Sequence, residues 1–221
     1  MPTDIEVLAD AEAVAARAAT FVAGAARTAI AARGRFVVAV SGGRTPWAMF
    51  AHLAGMDVAW DRVVIFQVDE RIAPDGDPDR NLTHLNESLP AAARPGVRPM
   101  PVTAADAGQA AALYARGLPP SFDLIHLGLG PDGHTASLVP GDPVLEVTDR
   151  DVAVTEPYQD RRRMTLTYPA LDRAACILWL VTGPDKRDAL ARLRAGDPTI
   201  PAGRVAAARA VIIADAAAAG A

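Results

Sequence analysis

The sequence predicts an α/β protein built on a mainly parallel sheet covered on both faces. Three observations carry that expectation. Five short runs are continuously apolar and do not alternate, as strands buried on both sides do: RFVVAV (35–40), VVIFQV (63–68), DLIHLGL (123–129), CILWLV (176–181) and AVIIA (210–214). Stretches of helical character lie between them, the order that builds a parallel sheet with helices on its faces. The chain of 221 residues is 51% hydrophobic and 22% charged, ordinary values for a globular protein with a substantial core. No internal repeat or low-complexity linker divides it, so residues 1–221 are read as a single domain.

In chain order, Ala11 to Ala32 is strongly helix-forming, with Val14, Phe21, Val22 and Ile30 as core-facing positions and Gly34 as its stop. Further helices are expected over 45–55, 80–89, 104–117, 184–194 and 201–208. Thr45 is placed as an N-cap, with Pro46 at the first helical position. HTASLVP, from His134, reads as a short helix, and DVAVT (151–155) and RMTLT (163–167) as weaker strands. The proline-rich segments 94–101 and 140–143 read as loops.

Charge and cysteine content narrow the classes of function. A net charge of −4 provides no global field for nucleic acid or an acidic membrane, so neither is expected as a partner. An anionic ligand would have to be met by a local cluster of basic groups. The single cysteine, Cys176, lies in an apolar run, excludes an internal disulfide and reads as core. MPTDIEVLAD is acidic where a secretory signal is basic, and Glu12, Arg17, Arg27 and Arg33 interrupt the alanine-rich stretch; a cytoplasmic protein is expected.

In open parallel sheets ligands gather beyond the carboxyl ends of the strands, so the residues following each apolar run carry the functional information. After the first comes SGGRTP: Ser41, Gly42, Gly43 and Arg44 open a helix whose free N–H groups suit a phosphate, although a plain strand-to-helix turn would look the same. After the second, Asp69, Glu70 and Arg71 stand at the sheet edge, as a solvated ion pair or as groups facing that turn. After the third comes GLGPDGHTASLVPG. His126 within the strand reads as core, but His134 lies outside the apolar run, two residues after Asp132, which can orient the imidazole as a general base needs. Arg161, Arg162 and Arg163 precede a strand, and Lys186 follows another strand end; each is either a solvated charge or part of an anion site.

Competing motifs fail on detail. Gly128, Gly130 and Gly133 form a literal G-x-G-x-x-G, but Pro131 and Asp132 occupy its turn and PGDP (140–143) ends the following segment too soon for a dinucleotide helix. Asp149 and Asp151 precede the next apolar run, where that fingerprint needs an acid at its end. His134 lacks the spacing of a metal set, SGGRTP is not a Walker A loop, and no G-x-S-x-G elbow supplies a nucleophile.

Taken together, SGGRTP, DERIAPDGDPDRN, GLGPDGHTASLVPG, RRMTLT and TGPDKRDAL resemble the 6-phosphogluconolactonases in order and approximate spacing, over about residues 37–194. The related glucosamine-6-phosphate deaminases share the Ser-Gly-Gly, Asp-Glu and Asp-Gly-His elements. After the histidine they carry a segment whose glutamate serves ring opening; here that segment is TASLVPG, without an acid. Asp69-Glu70 is followed by Arg71 where the deaminases carry an aromatic, and Val139 stands where many lactonases have Phe. A non-catalytic sugar-phosphate sensor is disfavoured because residues 1–35 show one long helix in place of a helix-turn-helix.

The resemblance implies a Rossmann-like three-layer α/β/α sandwich that hydrolyses 6-phospho-D-glucono-1,5-lactone to 6-phosphogluconate in the oxidative pentose phosphate pathway, without metal or cofactor. His134 would be the general base and Asp132 its orienting partner. Arg71 would steady the oxyanion or a hydroxyl, and Asp69 would accept from sugar hydroxyls. Ser41, Gly42, Gly43, Arg44, Arg163 and Lys186 would hold the phosphate. Glucose-6-phosphate dehydrogenase, which makes the lactone, is the natural functional neighbour.

Overall fold

The computed structural model describes residues 4–220. Its frame is a sheet of seven strands: β1 (Asp4–Leu8), β2 (Phe36–Val40), β3 (Val63–Gln67), β5 (Val97–Arg98), β6 (Leu124–Gly128), β9 (Ile177–Val181) and β10 (Ala210–Asp215). They lie in the order β1-β10-β9-β6-β2-β3-β5, with every neighbouring pair parallel. Three further strands, β4 (Asp69–Arg71), β7 (Val152–Val154) and β8 (Arg163–Leu166), form a separate antiparallel sheet in the order β4-β8-β7.

Alternate residues of each parallel strand enter opposite cores. Val37, Ala39, Ile125, Leu127, Ile177 and Trp179 face one; Phe36, Val38, Val40, Leu124, Leu178 and Leu180 face the other. This explains the continuously apolar runs: both faces of the sheet are buried. The second core is closed by α1 (Ala11–Arg33), α2 (Arg44–Ala54) and α3 (Asn81–Ser88), and the first by α4 (Ala107–Arg116), α6 (Arg187–Arg194) and the small sheet. The protein is thus a three-layer α/β/α sandwich.

Helix α1 begins on an Asp10 cap, whose Oδ1 accepts from the Ala13 N–H at 2.9 Å, and ends at Gly34 in the left-handed region, φ 74°. Val14 and Val22 are buried as expected, and Phe21 and Ile30 are half-buried against the same core. The short α5 (Tyr168–Leu171) and α7 (Ala216–Ala219) complete the helices.

Several expectations are corrected. Strand β1 was not anticipated; it pairs in parallel with β10 at the sheet edge. DVAVT and RMTLT are strands, but they belong to the small antiparallel sheet together with residues 69–71, which were expected at the edge of the parallel sheet. Residues 201–208 hold only a 3₁₀ turn at Pro201–Arg204. HTASLVP is not a helix: Thr135 and Leu138 close a tight turn through mutual backbone hydrogen bonds, with Ala136 at φ 50°. Helix α2 starts one residue earlier than Thr45, with Gly43 at φ 134° as its N-cap, so Pro46 falls in the first turn but not at its first position. Thr45 Oγ1 instead lies 2.8 Å from Thr182 Oγ1.

Candidate active site

The chain moves from β2 to β3 on one side of β2 and later places β6 on its other side. The strand order therefore reverses between β2 and β6. Beyond the carboxyl ends of those two strands opens a cleft of about 300 Å³, where an open parallel sheet binds its ligands. Its walls come from four places: Ser41–Pro46 after β2; Asp69, Arg71 and Asn81; Gly128–Gly130, His134 and Ala136 after β6; and Arg163 with Thr182 and Lys186. Of the ten residues selected from the sequence, nine line this cleft, and the tenth, Asp132, supports one of them.

His134 and Asp132 form the most sharply built feature. Asp132 Oδ1 accepts from the His134 backbone N–H at 3.1 Å and lies 2.6 Å from His134 Nδ1. Partial burial acts to raise the Asp132 carboxyl, but the His134 backbone N–H and the charge and hydrogen bond of its ring outweigh it, holding the group below its ordinary value. An ionised Asp132 requires a proton on Nδ1, leaving Nε2 as the basic nitrogen. The glycines around the pair serve it. A methyl group on Gly130 would overlap the imidazole and sit 2.7 Å from Asp132 Oδ1. Gly133, at φ 82°, adopts the left-handed turn that returns the chain to His134, and a methyl there would strike Ile200 at 2.5 Å.

The turn after β2 is held from beneath. His126, fully buried in β6, accepts at Nδ1 from the Ser41 N–H at 3.3 Å, and Ser41 Oγ donates to the His126 carbonyl at 3.1 Å. Burial pushes the His126 imidazole down to about 3, so it stays neutral and can accept. The Ser41 amide is thereby engaged with β6. The amides left for an anion in this turn are those of Gly42, Gly43 and Arg44.

Asp69, Glu70 and Arg71 divide their work. Glu70, with no exposed surface, accepts from the backbone N–H groups of Arg71, Asn81 and Leu82 and from Gln67 Nε2, all at 2.8 Å, with Arg80 Nε at 3.6 Å. It therefore ties β4 to the start of α3 and serves the architecture of the site. Asp69 accepts from Ser137 Oγ at 2.6 Å and from Asn81 Nδ2 at 3.3 Å. Arg71 Nη1 donates to the Asp79 carbonyl at 2.9 Å and to Asn81 Oδ1 at 2.6 Å. Asn81 and Ser137 were not singled out in the sequence. Asn81 lies in the right segment but resembles any polar helix start, and Ser137 meets Asp69 only through tertiary folding.

The small antiparallel sheet selects among the three arginines. Arg161 bonds Asp79 Oδ2 at 3.0 Å and Asp77 Oδ2 at 3.2 Å, and Arg162 Nε donates to the Thr155 carbonyl at 3.2 Å. Only Arg163 reaches the cleft; it pairs in register with Arg71 across β4 and β8 and is buried. Burial lowers the Arg163 guanidinium, against the opposing charge of Asp69, and its Nε has no partner among the described residues. Lys186 Nζ lies 3.0 Å from Asp185. Arg44, Arg71, Arg163 and Lys186 thus face the cleft with one carboxylate, Asp69, in a chain of net charge −4. Such a lining favours an anionic ligand. Among the described residues, no three His, Cys, Asp or Glu side chains converge as a metal-ligand set, and no helix is long and apolar enough to cross a membrane.

Residues 9–213 match the family described as glucosamine-6-phosphate isomerases/6-phosphogluconolactonase. The chain is 36% identical over 209 residues to a 6-phosphogluconolactonase of Synechocystis, covering 87% of this chain and 85% of that protein. It is 36% identical over 224 residues to a 6-phosphogluconolactonase of Mycobacterium tuberculosis, covering 91% of each. The crystal structure of 6-phosphogluconolactonase from Thermotoga maritima superposes with a TM-score of 0.87 at 28% identity, covering 96% of this chain and 99% of that one. With the match spanning nearly every element of the sandwich and all the strand-end loops of the cleft, the chain belongs to the glucosamine-6-phosphate isomerase/6-phosphogluconolactonase family.

Proposed function

We infer that this protein hydrolyses 6-phospho-D-glucono-1,5-lactone to 6-phosphogluconate, with His134 as general base. The observation that carries the reading is the His134–Asp132 pair, 2.6 Å apart, at the wall of a cleft lined by four cationic side chains. The named relatives support the same substrate class.

The chemistry asks little of the protein. A lactone carbonyl is already electrophilic, so water needs a base and the oxygen needs a cation as charge develops on it. Nε2 of His134 takes a proton from water as its oxygen bonds to C1. Arg71 stabilises the tetrahedral oxyanion, and the imidazolium returns the proton to the ring oxygen as the C1–O bond breaks. Asp132 holds the ring and stabilises its charged form. General acid–base help of this kind contributes on the order of 10²–10⁴-fold. The phosphate is held by the amides of Gly42, Gly43 and Arg44 with the side chains of Arg44, Arg163 and Lys186, and Asp69 accepts from a sugar hydroxyl. The mechanism requires neither a metal nor a cofactor.

The test is hydrolysis of freshly generated lactone by wild type and His134→Ala, against the spontaneous background. Acceleration that falls by on the order of 10²-fold or more in the variant is expected. Absence of acceleration by the wild type, or release of ammonia from glucosamine 6-phosphate in its place, overturns the reading.

A further inference from the structure

Residues 155–162, between β7 and β8, form a hairpin loop whose tip has no evident reason to be rigid. Its turn, Tyr158-Gln159-Asp160-Arg161, is closed by backbone hydrogen bonds of 3.0 and 3.3 Å. Both central residues have positive φ, 51° at Gln159 and 61° at Asp160. Positive φ at both centres marks a type I′ turn, which favours glycine, asparagine or aspartate; Asp160 suits it, but Gln159 does not. Such a conformation persists only where its surroundings over-determine it. Here they do: Arg161 is bound to Asp77 and Asp79, and Gln159 Oε1 accepts from Arg163 Nη2 at 3.1 Å.

These restraints hold Tyr158. Its ring meets the His134 imidazole edge-to-face, with centroids 5.7 Å apart and planes at 65°. On the same ring lies the Arg163 guanidinium, its Cζ 5.0 Å from the centroid. Tyr158 therefore bridges the acid–base pair and a buried cation of the cleft. Burial and the Asp132 charge raise its phenol, so it remains neutral. His134 is tied at Nδ1 by Asp132 and packs closely against Gly130. The Tyr158 ring adds a contact from another element, one that restricts how far the imidazole can tilt.

We propose that Tyr158 is a positioning residue for His134, its aromatic ring fixing the tilt of the imidazole and so the direction in which Nε2 points. The inference rests on His134 being the general base. It assigns the effect to the ring, which touches both His134 and Arg163, and not to the hydroxyl, which lies beside the Asp132 carboxylate.

The test compares Tyr158→Phe, Tyr158→Leu and Tyr158→Ala with wild type. It reads kcat and KM for lactone hydrolysis and the pH titration of the His134 ring resonances by NMR, assigned by their loss in His134→Ala. Tyr158→Ala is expected to lower kcat by roughly 10- to 100-fold, as misplacement of a reacting group does, while KM changes little. Tyr158→Phe is expected to retain most of kcat and a wild-type His134 titration. If the alanine variant does not fold, the leucine variant is read in its place. A normal kcat without the ring, a rise confined to KM, or a phenylalanine variant as impaired as alanine overturns the proposal. If the wild type does not hydrolyse the lactone, only the functional reading fails. The resonances then decide alone: a His134 titration and ring shifts unchanged in Tyr158→Ala overturn the positioning role.

Discussion

Gly130→Ala should inactivate the protein without unfolding it. The added methyl would lie 2.7 Å from Asp132 Oδ1 and overlap the His134 ring. Ordinary contact with carbon requires roughly 3.5 Å, so the carboxylate must move by about 0.8 Å and the imidazole by more than about 1 Å. Everything struck is side chain, and Gly130 does not occupy the left-handed region, so the backbone can remain in place. The stability change should therefore stay within about 1 kcal/mol, the gain from replacing glycine at a compatible position offsetting part of the displacement. Activity is another matter, because misplacing a catalytic group by about 1 Å costs on the order of 10²-fold. The assay is kcat/KM with fresh lactone for wild type, Gly130→Ala and His134→Ala, alongside urea unfolding of each. Gly130→Ala should fall close to His134→Ala in activity and close to wild type in stability. Activity within threefold of wild type would refute the claim that this glycine exists to seat the His–Asp pair; a large loss of stability would show that the clash is absorbed by the backbone.

Two further predictions follow from buried groups beneath the cleft. The His126 imidazole is pushed from 6.5 to about 3 by burial, so below pH 6.5 the unfolded chain binds a proton that the folded one refuses. Stability from this group is complete above pH 6.5 and falls by about 1.4 kcal/mol per pH unit below it, roughly 5 kcal/mol by pH 3. His126→Asn should flatten the urea midpoint against pH between pH 6 and 4 by close to one proton, and an unchanged slope would contradict the burial argument. Glu70→Gln places an amide against three backbone donors and strips the charge facing Arg80. It should cost about 3–5 kcal/mol, read as a lower urea midpoint, and a loss under about 1 kcal/mol would mean that the carboxylate is not needed to join β4 to α3.

Much of the architecture and the choice of loops was legible in the chain. Continuous apolar runs require burial on both faces, and with helical stretches between them they imply parallel strands with chemistry at their carboxyl ends. SGGRTP and GPDGH were legible because each follows such a run and carries residues that a plain turn does not need. Gly130 was legible only as a glycine: its reason, an imidazole resting on its Cα, belongs to the folded loop. The 201–208 stretch was misread because its alanines favour a helix in isolation, whereas Gly203, a poor helix former pressed against the Asp197 backbone, lies within it and only the turn Pro201–Arg204 forms.

What the sequence by itself determined is the set of parts: five core strands, the glycine turns, and an imidazole beside a carboxylate, all set by local pattern and near neighbours. The tertiary structure decided how those parts are used. Antiparallel pairing of β8 with β4 turned Arg163, and not Arg161 or Arg162, into the cleft. The neighbouring positions of β2 and β6 gave the Ser41 amide to His126. The β7–β8 hairpin carried Tyr158 onto His134. Each of these depends on contacts between residues distant in the chain, and long-range pairing leaves no periodicity in a single sequence to announce it.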